Sequence, residues 1–192
     1  MEKIKIILPD NSVREYYKGV TVLEIAKDIS EGLARVALGA VVNGKTKGMQ
    51  ETIEEDSDFR LVKFEDKEGK EIFWHTSAHI MALAVKRLFP DVKFAIGPAI
   101  EDGFYYDFDT EHRFTPEDLE KIEEEMKRIV KENHTLERFV MPRDEAIKYF
   151  EERGEIYKVD LIENFPEDEE ISFYKLGEFV DLCAGPHLLD TK

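Results

Sequence analysis

Two histidines, His75 and His79, stand four residues apart in the run Trp74-His75-Thr76-Ser77-Ala78-His79. In an α-helix that spacing puts both imidazoles on one face, one turn apart. Far along the chain a second pair follows in Cys183-Ala184-Gly185-Pro186-His187. Together the two pairs hold three of the five histidines and the only cysteine. Neutral imidazoles can orient a water molecule and take its proton near neutral pH. The same three imidazoles and one thiolate also have the donor types of a tetrahedral zinc site. Each pair alone has an ordinary structural explanation, since a lone cysteine is usually a small buried hydrophobe. A cysteine and a histidine flanking Gly-Pro are an odd choice for a core, however, and the joint pattern points to a site.

The composition bounds what can position these residues. A chain of 192 residues, 42% hydrophobic and 11% aromatic, is enough for one or two domains with cores of their own. A single cysteine excludes a disulfide framework and fits a reducing, cytoplasmic setting. Met1-Glu2-Lys3-Ile4-Lys5 reads as the start of an alternating strand, not as a signal peptide, and no apolar run approaches bilayer length. The net charge of −16 is uneven: residues 1–64 account for −1 and residues 65–192 for −15. So acidic a second part argues against non-specific nucleic-acid binding, because it repels a phosphate backbone.

Read in order, Lys3 to Leu8 and Val13 to Tyr17 alternate as two strands of a hairpin about Pro9-Asp10-Asn11-Ser12. Thr21-Val22-Leu23-Glu24 is a capping box that starts a helix running to about Ile29, with Gly32 closing that region. Ala37 to Val42 is a third strand, Asn43-Gly44 a hairpin turn, and Phe59 to Phe64 a last strand. This order predicts a ubiquitin-like β-grasp domain over residues 1–64. Asp66 to Lys70 reads as a charged linker. A larger α+β domain over 65–192 is then expected, with an antiparallel sheet and a central helix from about Phe73 to Phe89. In that helix Ala78, Met81, Ala82, Val85, Leu88 and Phe89 form the buried stripe. Val92 to Ile96 and Phe104 to Phe108 are predicted strands, and Thr115 caps a helix to about Asn133. Leu136 to Val140 is a strand, and Arg143 to Arg153 a helix closed by Gly154. Ser172 to Leu176 and Glu178 to Asp181 form a hairpin over Gly177 that delivers Cys183 and His187.

Four motifs carry a resemblance: His75-Thr76-Ser77-Ala78-His79; Ala95-Ile96-Gly97-Pro98 through Gly103-Phe104-Tyr105-Tyr106-Asp107; Arg153-Gly154-Glu155-Ile156-Tyr157-Lys158-Val159; and Asp181-Leu182-Cys183-Ala184-Gly185-Pro186-His187. With them the chain resembles, over nearly its whole length, the N-terminal part of the bacterial threonyl-tRNA synthetases, a TGS domain followed by an editing domain. Cys-x-Gly-Pro-His points to the threonyl enzymes, where alanyl-type editors have Cys-x-Gly-Thr-His. In the family the editing domain runs further, and catalytic and anticodon-binding domains follow. Those later domains use ATP, magnesium and zinc and make the family's homodimer.

The resemblance implies hydrolysis of serine wrongly esterified to the 3′ end of tRNA(Thr), with no metal required in this part. His75 and His79 are then the water-orienting pair, and Cys183 and His187 face them. Lys158 donates to the leaving ribose oxygen or the oxyanion. Tyr106 and Asp181 hold the amino group or the terminal adenosine, and Gly97 and Pro98 belong to the substrate wall. The expected partner is mischarged tRNA, gripped mainly through other domains, and no membrane is involved. Two rivals stay open. One is a zinc-dependent, alanyl-type deacylase using His75, His79, Cys183 and His187 as ligands. The other is a non-catalytic RNA-binding or regulatory module in which that set is a structural zinc knot.

Overall fold

The computed structural model describes all 192 residues. The chain divides into two compact units. The first is Met1–Phe73 with Gly185–Leu189, and the second is Trp74–Ala184 with Asp190–Lys192.

In the first unit, β1 (Lys3–Ile7) and β2 (Val13–Tyr17) pair antiparallel. β1 buries Ile4 and Ile6 on one face, as its alternation predicts. β3 (Val20–Thr21) leads directly into α1 (Val22–Ile29), where the Thr21 hydroxyl and the Glu24 carboxylate satisfy each other's backbone N–H groups. Gly32 does not close this region. Ser30 ends α1 and its hydroxyl caps a second helix, α2 (Glu31–Val36), with Gly32 inside it. A serine that can accept from the next turn's N–H groups turns the chain without breaking helical structure. β4 (Gly39–Val42) and β5 (Lys45–Gly48) form the hairpin over Asn43-Gly44, both with positive φ. β6 (Thr52–Ile53) pairs with β3, and β7 (Ser57–Val62) completes the main sheet. The sheet order is β2-β1-β7-β4-β5, with β1 and β7 parallel at its centre. This is the β-grasp arrangement, with Val22, Ile25 and Ala26 of α1 in the sheet's core.

The segment expected as a linker is helical. α3 runs from Lys67 to Leu88, so Asp66-Lys67-Glu68-Gly69-Lys70 is its start. Gly69 explains the misreading. A Cβ at that position would lie 1.8 Å from the Lys63 carbonyl oxygen, so glycine permits a close backbone approach here and is not a breaker. The division between the units falls inside α3, after Phe73.

The second unit is also α+β. From Trp74 onward α3 is its central helix. Ala78, Ala82, Leu83, Ala84 and Val85 are all buried, more of its circumference than the predicted stripe. β8 (Lys93–Phe94) pairs with β11 (Phe108–Asp109), and β9 (Ala99–Ile100) with β10 (Gly103–Phe104). The two longer strands expected here are shorter in the structure, because Ala95 and Ile96 both pair with Asp107 and this extra residue interrupts the regular ladder. α4 (Pro116–Glu132) has a Thr115–Asp118 capping box and ends at Asn133 in the left-handed region. β12 (Glu137–Val140), α5 (Arg143–Glu151), α6 (Ile156–Glu163), β13 (Ser172–Leu176) and β14 (Phe179–Leu182) follow. β12, β13 and β14 form an antiparallel sheet in that order. α6, which carries Lys158, is not among the elements expected from the sequence.

Candidate functional site

The second unit sorts the nominated residues into two layers. His75 and Cys183 are half-buried, and their ligand atoms lie within 4.8 Å of each other. His79, Tyr106, Lys158 and Asp181 are buried, none more than 7% exposed. A reacting molecule can reach the first layer. The second layer acts through what it holds.

Three elements build the accessible pair. His75 lies one turn above His79 on α3, as the four-residue spacing predicts. Cys183 follows β14, and its backbone is fixed at both polar groups by one residue. Its N–H donates to the Ser172 carbonyl (3.1 Å), and its own carbonyl accepts from the Ser172 hydroxyl (2.7 Å). Sequence reasoning did not single out Ser172. Its register opposite the end of β14 is the signal, and that register is known only once the hairpin is paired.

The buried layer is a closed polar network. Lys158 projects from α6 and donates to the Ala95 carbonyl (2.7 Å) and the Tyr106 hydroxyl (2.9 Å), and it forms an ion pair with Asp181. Those three contacts use all three N–H donors of an ammonium. The Tyr106 hydroxyl in turn donates to Asp181 Oδ2 (2.6 Å), and His79 Nε2 stands 3.7 Å from that same oxygen. Lys158 is therefore not a surface side chain, and α6 exists to carry it inward. Buried charges persist only when paired and hydrogen-bonded, and here the pairing is complete.

Gly97 and Pro98 serve this network through the backbone. Ala95 N–H donates to the Asp107 carbonyl, and Asp107 N–H to that of Ile96. This pairing lays Gly97 flat against the Tyr106 ring, where a Cβ would come within 2.2 Å of a ring carbon. The tyrosine ring occupies the space of a side chain, so only glycine fits. The motif Ala95-Ile96-Gly97-Pro98 thus positions Tyr106 and offers Lys158 a carbonyl.

The network also sets the charge states. Burial drives the His79 pKa down to about 4, helped by the charges of Lys158 and His75 and opposed by Asp181, so the imidazole is neutral at pH 7. Burial would raise the Asp181 carboxyl, but the Lys158 ammonium, with His79 and the hydrogen bonds from Lys158 and Tyr106, outweighs it and keeps the carboxyl ionised. Burial and the Asp181 charge push the Tyr106 phenol well above its ordinary range, so it stays a hydroxyl donor.

His187 is described with the first unit. It is buried, and it lies in the return segment Gly185–Leu189 that begins with a cis Gly185-Pro186 bond. Pro186 and the His187 carbonyl lie against Gly48, where a Cβ would sit 3.3 Å from the proline ring. The zinc reading asked for His75, His79, Cys183 and His187 together. The second unit by itself brings His75 and Cys183 together, and His79 is turned to Asp181. No helix is long and apolar enough to cross a membrane.

Comparison with known proteins places this architecture. The TGS domain family model matches residues 4–63. A threonine–tRNA ligase from Caldanaerobacter subterraneus subsp. tengcongensis is 63% identical over 186 residues, covering 97% of this chain and 29% of that ligase. Threonine–tRNA ligases from Acetivibrio thermocellus and Carboxydothermus hydrogenoformans are each 61% identical over 188 residues, 98% of this chain and 30% of theirs. The chain therefore spans less than a third of the length of the curated relatives it matches.

Proposed function

The chain belongs with the N-terminal region of the threonine–tRNA ligases, and from that premise we propose that its second unit hydrolyses mischarged Ser-tRNA(Thr). The observation that carries this reading is the two-layered site: an accessible His75–Cys183 pair above a saturated Lys158–Asp181–Tyr106 network with a neutral His79. Hydrolysis of an aminoacyl ester needs a water held in line with the carbonyl, a group to take its proton, and an environment that tolerates the developing oxyanion.

His75 takes the proton from water as the water oxygen bonds to the ester carbon. The carbon–oxygen bond to the ribose then breaks, and the proton passes to the leaving ribose oxygen. Cys183, fixed by Ser172, borders the same space and orients the ester. His79 stays neutral one turn further along α3, turned to Asp181, and supports the face that His75 presents to the water.

Lys158 enters this reading as a positioning residue. Its three donors are occupied, so direct donation to the ribose oxygen or the oxyanion would require giving one up. Its charge keeps Asp181 ionised, and Tyr106 and the Ala95–Pro98 loop are held through it. Asp181 and Tyr106, both buried, likewise shape the floor. Gly97 and Pro98 form the backbone wall against which a substrate side chain is measured. Transfer RNA is the proposed partner, the site seeing only its 3′ end, in service of the threonine ligation named for the relatives.

The test is single-turnover deacylation of Ser-tRNA(Thr) by this chain or by the full-length protein that contains it. His75→Ala and Cys183→Ala are each expected to lower the rate by about a hundredfold or more with the thermal transition unchanged. If both variants deacylate at the parent rate, the reading fails. If they unfold the second unit, and chelators do the same to the parent, a structural zinc knot replaces it.

A further inference from the structure

The motif Arg153-Gly154-Glu155 is not used by the reaction above, although it leads directly into the helix that carries Lys158. A cavity of about 250 Å³ lies beside it, lined among others by Lys86, Tyr149, Arg153, Glu155 and Phe179, with Lys158 also on its lining. Neither His75, His79 nor Cys183 lines it. We propose that this cavity binds a single nucleotide through its phosphate, as a site separate from the hydrolytic one.

Two unpaired cations carry the argument. Residues 65–192 hold a large excess of carboxylates; Arg87, Arg128 and Arg138 pair with them, while Arg143 is held by backbone carbonyls instead. Lys86 and Arg153 face one cavity and neither makes an ion pair with a carboxylate. Each is held instead by an aromatic ring. The Arg153 guanidinium stacks 3.5 Å from the centre of the Tyr149 ring and donates one hydrogen bond to the Tyr149 carbonyl. The Lys86 ammonium stands 5.7 Å from the centre of the Phe179 ring. These contacts fix the side chains without neutralising them. Two fixed cations, faced by the single carboxylate of Glu155, beside a half-enclosed space are a receptor for an anion, and Arg keeps donors in its plane for phosphate oxygens.

The third polar group narrows the class. Glu155 is tied through one oxygen to the Phe94 N–H (3.2 Å), and burial raises its pKa. A carboxylate beside two cations disfavours a bare polyanion and offers an acceptor for a hydroxyl or amine on the same ligand. A phosphate with a ribose or an amino-bearing base attached meets both demands. The exposed face of Arg153, with Tyr149 behind it, is a planar platform of the kind on which bases stack. The cavity is just below the size of ordinary small-molecule sites and suits one nucleotide. That nucleotide is either free or one residue of an RNA strand, and both present the same chemistry.

The proposal stands independently of the editing reading, and its test reads binding, not turnover. Isotope-labelled protein is titrated with AMP, adenosine, inorganic phosphate and the trinucleotide CCA. AMP is expected to shift the resonances of Lys86, Tyr149, Arg153 and Glu155. Adenosine should bind about tenfold more weakly or worse. Lys86→Met and Arg153→Met, which keep the apolar stems, should each weaken AMP about tenfold with an unchanged melting temperature. His75→Ala should leave AMP binding as it was. CCA binding more tightly than AMP through the same resonances identifies an RNA nucleotide as the source, and equal or weaker binding a free one. The proposal is overturned if AMP and adenosine bind alike, if the two Met variants bind AMP like the parent, if the shifts fall on His75, His79 and Cys183 instead, or if no saturable binding occurs up to about 10 mM.

Discussion

Lys158 on α6 and Asp181 on β14 meet as an ion pair with neither residue more than 3% exposed. Each is also hydrogen-bonded to the Tyr106 hydroxyl, one as its donor and one as its acceptor. The pair joins a helix, a strand and the Ala95–Pro98 loop at one point, so removing either partner strands the other charge in a medium that solvates it poorly. Lys158→Met and Asp181→Leu should each destabilise the second unit by about 3–5 kcal/mol. The double variant should cost clearly less than the two added together, because no orphan charge remains. Denaturant unfolding of the four proteins measures this, and strict additivity would show that the pair is not coupled.

Acid should weaken the fold from just below neutrality. The folded His79 pKa, about 4, lies below the ordinary value of 6.5. Above 6.5 the imidazole is neutral in both states and the residue is indifferent to pH. As pH falls from 6.5 towards 4 the unfolded chain takes up a proton that the folded chain refuses, and stability drops. The loss is on the order of 3 kcal/mol by pH 4. Asp181, held below its ordinary range, adds a loss of the same sign at lower pH as its carboxyl protonates. His79→Gln should flatten the slope between pH 6.5 and 4 in thermal unfolding, and an unchanged slope would contradict the assignment.

Gly69→Ala should reverse the usual sign for a helix. Replacing glycine by alanine inside a helix normally stabilises by up to about 1 kcal/mol. Here the new Cβ would lie 1.8 Å from the Lys63 carbonyl oxygen, and the obstacle is backbone. The expected result is a loss of about 1–3 kcal/mol, as for overpacking, measured by the melting temperature. A gain in stability would mean that the approach of Lys63 to α3 is looser than described.

The proposed hydrolysis must separate two esters that differ by one methyl group. An apolar pocket would favour threonine, and by no more than about 1–3 kcal/mol. Serine is therefore preferred only if the methyl is excluded, and in the proposed reading the close Gly97–Tyr106 contact is the wall that excludes it. Deacylation of Ser-tRNA should exceed that of Thr-tRNA by more than about two hundredfold. Similar rates on the two esters would leave a general esterase.

The sequence by itself determined the local pieces. The Thr21–Glu24 box, the helix start at Thr115-Pro116, the Asn43-Gly44 turn and the hairpin over Gly177 are all read from neighbours, because caps and turns are satisfied within a few residues. The four-residue spacing of His75 and His79 is legible for the same reason. Only the tertiary structure decided which glycines break elements and which admit a neighbour. Gly69 and Gly97 are alike in sequence, and their roles come from a carbonyl six residues before the one and an aromatic ring nine residues after the other. It also decided that Lys158 is buried. One lysine in an apolar stretch is a surface residue until a carboxylate from a strand 23 positions later meets it. The layering of the site has the same origin. Spacing nominates which side chains share a face, and burial then divides them into those a substrate can touch and those that hold the touching residues in place.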